Sequence, residues 1–368
     1  MILVENFISV LKKNKINFFT GVPDSILKNF SNYVERFSKK KHIISTNEGS
    51  AVSIGIGYHL ATKKIPCVYL QNSGLSNAIN PLISIASKEV YSIPLFLMIG
   101  WRGAPKKPDE PQHLAKGKIT PSLLKLLKID FCVLRQEKDL KKIKIIIKKA
   151  SKKKTVVACL VERGTFYTKK AKKKTFNRKF ILRSKFIKDF VNLVPKKSKI
   201  ISTTGYTSRE LMEIRNRTRS TNGKDFYMVG GMGHSSSVAL GYSLHSEKKV
   251  FCLDGDGSIL MHLGALRTVG FLKNENFKHI LLNNNTHESV GGQTTTASGI
   301  DFKKLSKSIG YKHYFQIDDK KNIKLKIKNF IKSRGPSLLE VKISNGTLDN
   351  LSRPKNLIKI KERFMINR

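Results

Sequence analysis

The chain has 368 residues, and 70 Lys and Arg against 26 Asp and Glu give it a formal net charge of +44 at pH 7. A composition that is 40% hydrophobic and 8% aromatic is too apolar for a disordered polycation, and the length suits about two domains with separate cores. The longest apolar run of note, residues 92–101, is far shorter than the roughly 20 residues that span a bilayer, so no membrane-spanning segment is expected.

Helices and strands alternate along the first part of the chain. Apolar residues at helical spacing predict a helix over residues 3–13, and further helices separate the strands. The predicted strands are residues 16–20, 41–46, 66–71, 94–99 and 155–161. Continuously apolar strands that alternate with helices indicate a parallel sheet covered on both faces. We therefore predict a first domain over residues 1–165.

A basic, polar stretch at residues 166–183 is predicted to be a linker, and a second domain is predicted over residues 184–368. Its predicted strands are residues 199–203, 250–253, 279–282 and 337–341, and one helix is predicted over about residues 259–273. The expected fold class is therefore α/β, with two doubly wound parallel-sheet domains that share a fold without a sequence repeat.

The four cysteines are separated by at least 27 residues along the chain. This spacing predicts neither a metal-binding knuckle nor a redox pair, and cysteines in apolar runs behave as small buried hydrophobic residues. A cytoplasmic location is expected, because free cysteines suit a reducing compartment and the first residues lack the pattern of a signal peptide.

Two polar motifs follow neighbouring predicted strands of the second domain. Asp256 lies in Gly255-Asp256-Gly257-Ser258, and Asn284 follows the next strand, 28 residues later. This spacing fits one crossover helix and one strand, so both side chains should emerge at the same carboxyl edge of the sheet. A carboxylate and an amide oxygen suit Mg²⁺, which shares oxygen ligands with phosphates. Gly255 and Gly257 let the backbone approach a diphosphate, and the helix starting near Ser258 offers free N–H groups.

This arrangement resembles the thiamine diphosphate enzymes, whose signature is Gly-Asp-Gly, a gap and Asn-Asn. The resemblance implies thiamine diphosphate and Mg²⁺ as cofactors, with Asp256, Asn284 and the Thr286 carbonyl as metal ligands. It implies that the first domain binds the pyrimidine ring and the second binds diphosphate and Mg²⁺, with no central domain. It also implies a homodimer or a larger homo-oligomer whose active sites are shared between subunits.

Three more residues match cofactor contacts of this family. Glu48 corresponds to the glutamate that protonates the pyrimidine ring and so helps to activate the cofactor. Considered alone, Glu48 would be explained as a carboxylate at a helix start, where the helix dipole favours it. By the same resemblance, the Gly230 carbonyl accepts the 4′-amino group and Met232 holds the cofactor in its bent shape. The other reading of Met232 is an ordinary core residue.

Five further segments resemble the phosphonopyruvate decarboxylases, a family within these enzymes: Gly21-Val-Pro-Asp-Ser25, Gln71-Asn-Ser-Gly-Leu-Ser-Asn-Ala-Ile-Asn-Pro81, Gly100-Trp-Arg-Gly103, Asp109-Glu-Pro-Gln-His113 and His287-Glu-Ser-Val-Gly-Gly-Gln293. The likeness covers most of residues 1–300 and implies decarboxylation of 3-phosphonopyruvate to phosphonoacetaldehyde and CO₂, in phosphonate biosynthesis. It predicts glycine at position 285 and aspartate at position 288, where this chain has Asn285 and Glu288.

A substrate with a carboxylate and a phosphonate requires fixed cations. Arg102 is the first candidate, because a guanidinium matches phosphonate geometry. Lys116 and Lys118 are weaker candidates, since a single Lys in so basic a chain is usually solvated. Ser25 and His287 are also predicted to contact the substrate.

Asp24 and His113 are predicted to move protons to and from the reacting carbon, since both lie on loops after strands of the first domain. Their other readings are a turn residue after Pro23 and a surface histidine. Five other histidines are predicted to be structural or surface residues: His59, His234, His245, His262 and His279.

Three alternatives to this function remain at the level of sequence. Sulfopyruvate decarboxylase requires nearly the same cations and cofactor. Pyruvate decarboxylation or acetolactate-type carboligation is less favoured, because a small apolar substrate does not require Arg102. A basic nucleic-acid-binding protein on an α/β fold would explain the charge. However, the lysines are spread along the chain and no basic motif with interleaved aromatic residues is found, so no specific nucleic-acid partner is expected.

Overall fold

A computed structural model describes residues 1–169, 179–218 and 225–366. These residues form two compact units, of which the first comprises residues 1–169 with the segment His287–Gln293 and the second comprises the other described residues. Each unit contains a parallel sheet flanked by helices, which confirms the predicted α/β class. None of the described helices combines the length and the apolar character that crossing a membrane requires.

The first unit alternates strands and helices as predicted. In chain order its elements are β1 (Ile2–Leu3), α1 (Val4–Lys13), β2 (Phe19–Gly21), α2 (Lys28–Val34), β3 (His42–Ile44), α3 (Glu48–Thr62), β4 (Cys67–Gln71), α4 (Leu75–Pro81), β5 (Phe96–Gly100), α5 (Pro111–Leu126), β6 (Asp130–Leu134), α6 (Leu140–Lys153), β7 (Val157–Val161) and β8 (Phe166–Tyr167). The sheet order is β3-β2-β4-β5-β7-β6, all parallel, and β1 pairs with β8 apart from it.

Strand β5 shows why the central strands are continuously apolar. Its residues Phe96 and Met98 enter the core between the sheet and helices α1, α2 and α6. The alternate residues Leu97 and Ile99 enter the opposite core, under α3, α4 and α5. A central parallel strand is thus buried on both faces, and its polar neighbours lie beyond its ends.

From residue 179 onward the elements are β9 (Ile181–Leu182), α7 (Arg183–Leu193), β10 (Lys199–Ser202), α8 (Tyr206–Thr218), β11 (Asp225–Tyr227), α9 (Ser235–Leu244), β12 (Val250–Gly255), α10 (Asp256–Met261), α11 (Ala265–Leu272), β13 (Phe277–Asn283), β14 (Thr286–His287), β15 (Gln293–Thr294), α12 (Phe302–Ile309), β16 (His313–Ile317), α13 (Ile323–Lys332), β17 (Ser337–Ser344) and α14 (Leu357–Ile366). The sheet of the second unit has the parallel order β11-β10-β12-β13-β17-β16, and β9 pairs with the end of β17. A buried apolar cluster covers each face.

The structure differs from the sequence-based expectation in one helix. The helix predicted over residues 259–273 is two helices, α10 and α11, because His262 leaves the helical region with φ −137° and ψ 54°. The His262 ring stacks on that of His234, with 4.4 Å between ring centroids.

The predicted linker is described only at its two ends. Strand β8 lies at its start and pairs with β1, while β9 lies near its end and pairs with β17. Residues 170–178 are outside the described residues. The boundaries 1–165, 166–183 and 184–368 stay predictions.

Two of the four cysteines are neighbours in space, although their spacing along the chain predicted no redox pair. Cys132 and Cys159 are opposite each other on strands β6 and β7, and each thiol contributes to the pKa shift of the other. Both are free thiols. Their separation along the chain is no measure of their distance, because neighbouring strands bring remote residues together.

Candidate active site

Polar side chains gather at the carboxyl edge of the sheet in the first unit. Asp24 follows β2, Glu48 follows β3, Gln71 ends β4 and Arg102 follows β5. These strands are parallel and adjacent, so residues beyond their carboxyl ends lie along one edge, where ligands bind in open α/β sheets. The edge therefore collects three residues that the sequence singled out, together with Gln71, to which it assigned no role.

Glu48 is the first residue of α3, and its side chain is only 5% exposed. Asn77 Nδ2 donates a hydrogen bond to Glu48 Oε2 at 2.9 Å. Gly74 leaves room for the carboxyl, because a Cβ atom at this position would lie 2.0 Å from Glu48 Oε1. Burial raises the pKa of the Glu48 carboxyl, and the hydrogen bond from Asn77 opposes that shift. A sheltered carboxyl of this kind can hold and share a proton.

Asp24 is completely buried beside the same edge. Gln71 Nε2 donates to Asp24 Oδ1 at 2.5 Å, and the backbone N–H groups of Ile26 and Leu27 donate to Oδ2. A Cβ atom at Gly100 would lie 2.0 Å from Asp24 Oδ2, so a second glycine makes room for a second carboxyl. Burial raises the pKa of Asp24, while the hydrogen bond from Gln71 and the positive charge of Arg102 lower it.

Arg102 forms a buried ion pair with Asp109. The Arg102 Nε atom donates to Asp109 Oδ2 at 2.8 Å, Nη2 donates to Oδ1, and Nη1 donates to Ser25 Oγ at 3.1 Å. Asp109 also accepts the N–H groups of Gly103 and Glu110, each at 2.8 Å. Burial alone would raise the pKa of Asp109, but the bonds from Arg102 and these N–H groups hold it well below its usual range. Arg102 is therefore not an unpaired cation, and its plane is fixed.

The loop that carries Arg102 is fastened to helix α5. Asn72 Nδ2 donates to the Arg102 carbonyl at 2.9 Å and to Thr120 Oγ1 at 3.0 Å, and the Arg102 N–H donates to Asn72 Oδ1 at 3.1 Å. Trp101 Nε1 donates to the Gly117 carbonyl at 2.9 Å. These contacts make the Trp101-Arg102 segment a rigid part of the edge.

Helix α5 carries three of the predicted residues. His113, which was predicted to lie on a loop, is instead half-buried in the first turn of this helix, while Lys116 and Lys118 are exposed. The positive charge of Lys116 contributes to lowering the pKa of Glu48, so this ammonium group lies near that carboxyl.

His287 belongs to the first unit with the segment that follows it. Gln293 anchors this segment, because its Nε2 atom donates to Ser31 Oγ at 2.8 Å and to Asn32 Oδ1 at 2.7 Å. Burial lowers the pKa of His287 to about 4, so its imidazole is neutral at physiological pH. Glu288, where the resemblance predicts aspartate, begins a single helical turn.

In the second unit, the tips of β12 and β13 bring Asp256 and Asn284 together. The two strands pair with Gly255 opposite Leu282, and the Asn284 N–H donates to the Asp256 carboxylate. Thr295 Oγ1 donates to Asp256 Oδ2 at 2.5 Å. The Thr286 N–H donates to Asn284 Oδ1 at 3.1 Å, which turns the chain back toward the strand tips. The expected juxtaposition of carboxylate and amide is present.

These residues fit a divalent cation. Asp256 is 3% exposed, and its described partners are the uncharged Thr295 hydroxyl and backbone N–H groups. Burial raises the pKa of Asp256 to about 6. A cation beside it would favour the charged form, and a carboxylate, an amide oxygen and a carbonyl are the hard donors that Mg²⁺ selects. The Gly255 Cα faces open space, since no atom lies within 4 Å of a Cβ built there.

Asn285 occupies the position where the resemblance predicts glycine. Its φ angle of +56° lies in the left-handed region that glycine adopts without strain. Asparagine is among the few other residues that tolerate this region, so the difference from the family pattern preserves the turn.

The second predicted cofactor loop contains Gly230 and Met232. Met232 is half-buried and lies outside both apolar clusters of this unit, which argues against an ordinary core residue. Gly233 has φ +91°, and its N–H donates to Ser258 Oγ at 3.0 Å. Ser258, predicted to face the cofactor, is only 3% exposed and turns its hydroxyl toward this loop, while Gly257 lies in α10.

The structure adds residues to which the sequence assigned no role. Asp109 holds Arg102, Asn77 and Gly74 hold Glu48, and Gln71 holds Asp24. Each of these residues lies in a segment that resembles the related decarboxylases, and this resemblance was the sequence feature that could have identified them. Their partners could not be named from the sequence. Asn77 and Gln71 reach their partners from different elements, and Asp109 reaches Arg102 from within the same connection between β5 and α5.

Comparisons with known proteins agree with this geometry. Residues 1–120 match the family described as thiamine pyrophosphate enzyme, N-terminal TPP binding domain, and residues 203–341 match thiamine pyrophosphate enzyme, C-terminal TPP binding domain. Thiamine pyrophosphate is another name for thiamine diphosphate. The two matches fall on the two units that carry the Glu48 and Asp256 sites.

Three relatives are similar along nearly the whole chain. A phosphonopyruvate decarboxylase of Streptomyces viridochromogenes is 30% identical over 356 residues, which cover 91% of this chain and 87% of that protein. Another, of Streptomyces hygroscopicus, is 29% identical over 372 residues, covering 96% and 91%. A sulfopyruvate decarboxylase of Methanosarcina acetivorans is 28% identical over 383 residues, covering 98% and 96%. The chain therefore belongs to the thiamine pyrophosphate enzymes, among the relatives of phosphonopyruvate decarboxylase, and is a carboxy-lyase that uses thiamine diphosphate and Mg²⁺.

Proposed function

We propose that this protein decarboxylates 3-phosphonopyruvate to phosphonoacetaldehyde and CO₂, a reaction of phosphonate biosynthesis. The observation that carries the proposal is the near full-length similarity to two phosphonopyruvate decarboxylases. The paired guanidinium at the sheet edge supports it, because a substrate with two anionic groups requires a fixed cation.

The cofactor is assigned to the residues that the second unit gathers at its strand tips. Asp256, Asn284 and the Thr286 carbonyl would hold Mg²⁺, which in turn binds the diphosphate. Thiamine diphosphate, when bound, supplies the electron sink that decarboxylation of a 2-oxo acid requires. Gly255, Gly257 and the backbone near Ser258 would lie against the diphosphate.

The pyrimidine end of the cofactor is assigned to Gly230 and Met232 of the second unit and to Glu48 of the first. Glu48 would hold a proton at the ring nitrogen, and its raised pKa suits a shared proton. The first and second domains are accordingly proposed as the pyrimidine-binding and the diphosphate-binding domain.

Asp24 is proposed to hold the proton that replaces CO₂ on the substrate carbon. Its burial favours the protonated form, and Gln71 fixes the carboxyl by a hydrogen bond of 2.5 Å. His113 is proposed to exchange that proton with solvent, since it is half-buried on α5. His287, neutral at physiological pH, is proposed as a hydrogen-bonding contact to the substrate.

The phosphonate is assigned to Arg102 and Ser25. Asp109 occupies the Nε and Nη2 side of the guanidinium, and Ser25 Oγ lies at Nη1. The remaining donor capacity of Arg102 therefore lies on the side of Ser25, beside Asp24. This order of groups would place the anionic head of the substrate next to the proposed proton donor.

Sulfopyruvate is the alternative substrate, and the full-length similarity to a sulfopyruvate decarboxylase favours it specifically. A sulfonate has the same tetrahedral shape as a phosphonate but carries a single negative charge. A site built for phosphonate should lose affinity for sulfopyruvate, because fewer charge-assisted bonds form.

The test is the release of CO₂ and aldehyde from phosphonopyruvate, sulfopyruvate and pyruvate by the purified protein with thiamine diphosphate and Mg²⁺. We expect the largest kcat/KM for phosphonopyruvate and nearly complete loss of turnover in Glu48→Gln. Glu89→Gln, at an exposed ion pair with Lys128, is the matched control and should keep full activity. A larger kcat/KM for sulfopyruvate would assign the alternative substrate, and full activity of Glu48→Gln would remove Glu48 from its role.

The proposal includes a homodimer or a larger homo-oligomer with active sites shared between subunits, in the cytoplasm. Sedimentation of the holoenzyme measures the first point. Mixing Glu48→Gln with Asp256→Ala subunits should restore part of the activity if each site takes residues from two chains. A monomeric, fully active enzyme would contradict the shared site.

A further inference from the structure

Three side chains with metal-binding chemistry meet in the core of the second unit, on the two strands whose tips carry Asp256 and Asn284. Cys252 and Asp254 are two residues apart on β12, so their side chains point to the same face of the sheet. His279 on β13 is paired directly with Cys252. One donor atom from each of these three residues lies within 4.8 Å of the other two. The proposed reaction uses none of the three.

Two of these side chains face each other without a hydrogen bond. Asp254 Oδ2 and His279 Nε2 are 3.5 Å apart, and neither atom has a hydrogen-bond partner among the described residues. The other carboxylate oxygen of Asp254 accepts the Gly255 N–H at 2.9 Å. Asp254 is 1% exposed and His279 is not exposed at all. Since unpartnered polar atoms are costly inside an apolar core, a positive group between these two atoms would stabilise the unit.

The distance between the two atoms fits a metal ion better than a direct hydrogen bond. An N–H group and an oxygen that share a hydrogen bond are roughly 2.7–3.2 Å apart. Nitrogen and oxygen ligands lie about 2.0–2.1 Å from a tetrahedral ion, which places them about 3.4 Å from each other. The separation of 3.5 Å between His279 Nε2 and Asp254 Oδ2 is close to that second value.

Two neighbouring side chains complete the arrangement. Tyr311 OH lies 2.9 Å from His279 Nδ1, and a histidine that binds metal through one ring nitrogen usually has such a partner at the other. Ser235 is the first residue of α9, which packs on β12. Its buried Oγ atom has no hydrogen-bond partner within the described parts of the chain, so this hydroxyl is the candidate for a fourth ligand.

We propose that Cys252, Asp254 and His279 bind a divalent transition-metal ion, with Zn²⁺ as the best fit. A thiolate, an imidazole and a carboxylate are the ligands that Zn²⁺ takes in tetrahedral sites, whereas Mg²⁺ and Ca²⁺ select oxygen ligands. The ion would replace the thiol proton of Cys252 and compensate the charge of Asp254.

The site is structural rather than catalytic, because all three ligands are buried and leave no open position for a substrate. The bound ion would join β12 to β13 below the tips that carry Asp256 and Asn284. It is separate from the proposed Mg²⁺ site and does not depend on the proposed function. The competing explanation is a protonated His279 that pairs with Asp254, which requires no metal and gives Cys252 no role.

The experiment measures the metal content of the full-length protein, expressed in zinc-supplemented medium and then treated with a chelator that removes exposed Mg²⁺. We expect one equivalent of Zn²⁺ per chain to survive chelation of the folded protein and to be released on unfolding in guanidinium. Absence of a stoichiometric transition metal would overturn the proposal and leave the pair of His279 and Asp254.

Cys252→Ala tests the ligand set. This variant should lose the retained ion, because a neutral methyl group replaces the thiolate. Its matched control is Cys67→Ala, which changes a free and fully buried cysteine on β4 of the first unit and should retain one equivalent. A folded Cys252→Ala protein that keeps the full metal content would overturn the site.

A spectroscopic measurement on the wild type keeps the proposal testable if Cys252→Ala does not fold. Protein produced with Co²⁺ in place of Zn²⁺ should show the charge-transfer absorption of a thiolate bound to cobalt. Stoichiometric Co²⁺ that binds without this absorption would exclude Cys252 as a ligand and overturn the proposal.

Asp256→Ala distinguishes this site from the proposed Mg²⁺ site. It should lose the Mg²⁺-dependent binding of thiamine diphosphate and keep the chelation-resistant ion. Unchanged cofactor binding would refute the assignment of Asp256 and leave the transition-metal site supported by its retained ion. Loss of that ion in folded Asp256→Ala would place it at the strand tips and overturn the site at Cys252.

Discussion

Replacing Gly74 by alanine tests whether the position of the Glu48 carboxyl controls the reaction. Gly74 has φ −88° and ψ −4°, a conformation open to alanine, so the substitution introduces no backbone strain. The new Cβ atom would lie 2.0 Å from Glu48 Oε1 and 2.5 Å from its Cγ. Only the Glu48 side chain needs to yield, because it is the flexible partner in each of these contacts.

The size of the effect follows from that distance. The carboxyl must move by about 1.4 Å to pass from 2.0 Å to ordinary van der Waals contact beyond 3.4 Å. A misplacement of about 1 Å in a catalytic group costs roughly 100-fold in rate, so kcat should fall by about two orders of magnitude. Loss of the hydrogen bond from Asn77 should lower the free energy of unfolding by about 1–3 kcal/mol, which leaves the protein folded.

The assay measures kcat and KM for decarboxylation at saturating thiamine diphosphate, with thermal unfolding in parallel. Gly57→Ala is the matched control, because Gly57 lies in the same helix as Glu48 and no atom lies within 4 Å of its added Cβ. This control should retain kcat and gain about 0.5–1 kcal/mol of stability from the better helix former. A folded Gly74→Ala enzyme with wild-type kcat would refute the reasoning, since the carboxyl would then tolerate displacement.

Three other measurements test separate parts of the structure. Arg102→Ala and Asp109→Ala should each lower the free energy of unfolding, measured in urea, by about 3–5 kcal/mol, because either change leaves a buried charge unpaired. The double variant should lose clearly less stability than the sum of the two single variants. Additive losses would show that the two residues are not coupled. Removal of divalent metal ions by a chelator should abolish decarboxylation, and added Mg²⁺ should restore it. Asp256→Ala should require a Mg²⁺ concentration for half-activation that is roughly tenfold or more above that of wild type. An unchanged Mg²⁺ requirement would exclude Asp256 as a ligand. Burial lowers the pKa of the Lys278 ammonium group to about 7. Below pH 7 this group is charged in both the folded and the unfolded protein, and the cost of burying the charge lowers the free energy of unfolding by its full amount. That cost decreases as the pH rises from 7 toward about 10.4, the pKa of lysine in the unfolded chain. Between pH 7 and pH 10, the free energy of unfolding of wild type should therefore increase relative to that of Lys278→Met. If the difference between the two proteins does not vary with pH, the carbonyl and hydroxyl acceptors around Lys278 keep its ammonium group charged.

The central strands of both sheets could be read directly from the sequence. Strands β4, β5 and β7 are buried on both faces, so each appears as an uninterrupted apolar run. The edge strands β6, β11 and β16 were missed. An edge strand has one neighbour and partial exposure, and the polar residues that this permits interrupt the apolar pattern.

The positions of Asp256 and Asn284 were also predictable, although their roles stay proposals. Two residues that directly follow adjacent parallel strands must reach the same edge of the sheet, whatever the intervening helix contains. The break between α10 and α11 illustrates the point, because it changed the helix without separating the strand tips.

The sequence by itself determined which residues stand at the carboxyl ends of strands, because strand burial and crossover geometry act locally and leave a regular pattern. Only the tertiary structure decided how those residues are paired. Arg102 pairs with Asp109 within one loop, Glu48 of α3 accepts a hydrogen bond from Asn77 of α4, and the Ser258 hydroxyl of α10 accepts the Gly233 N–H. Such contacts depend on the packing of the whole unit and on distances of a few tenths of an ångström, which no spacing along a chain encodes.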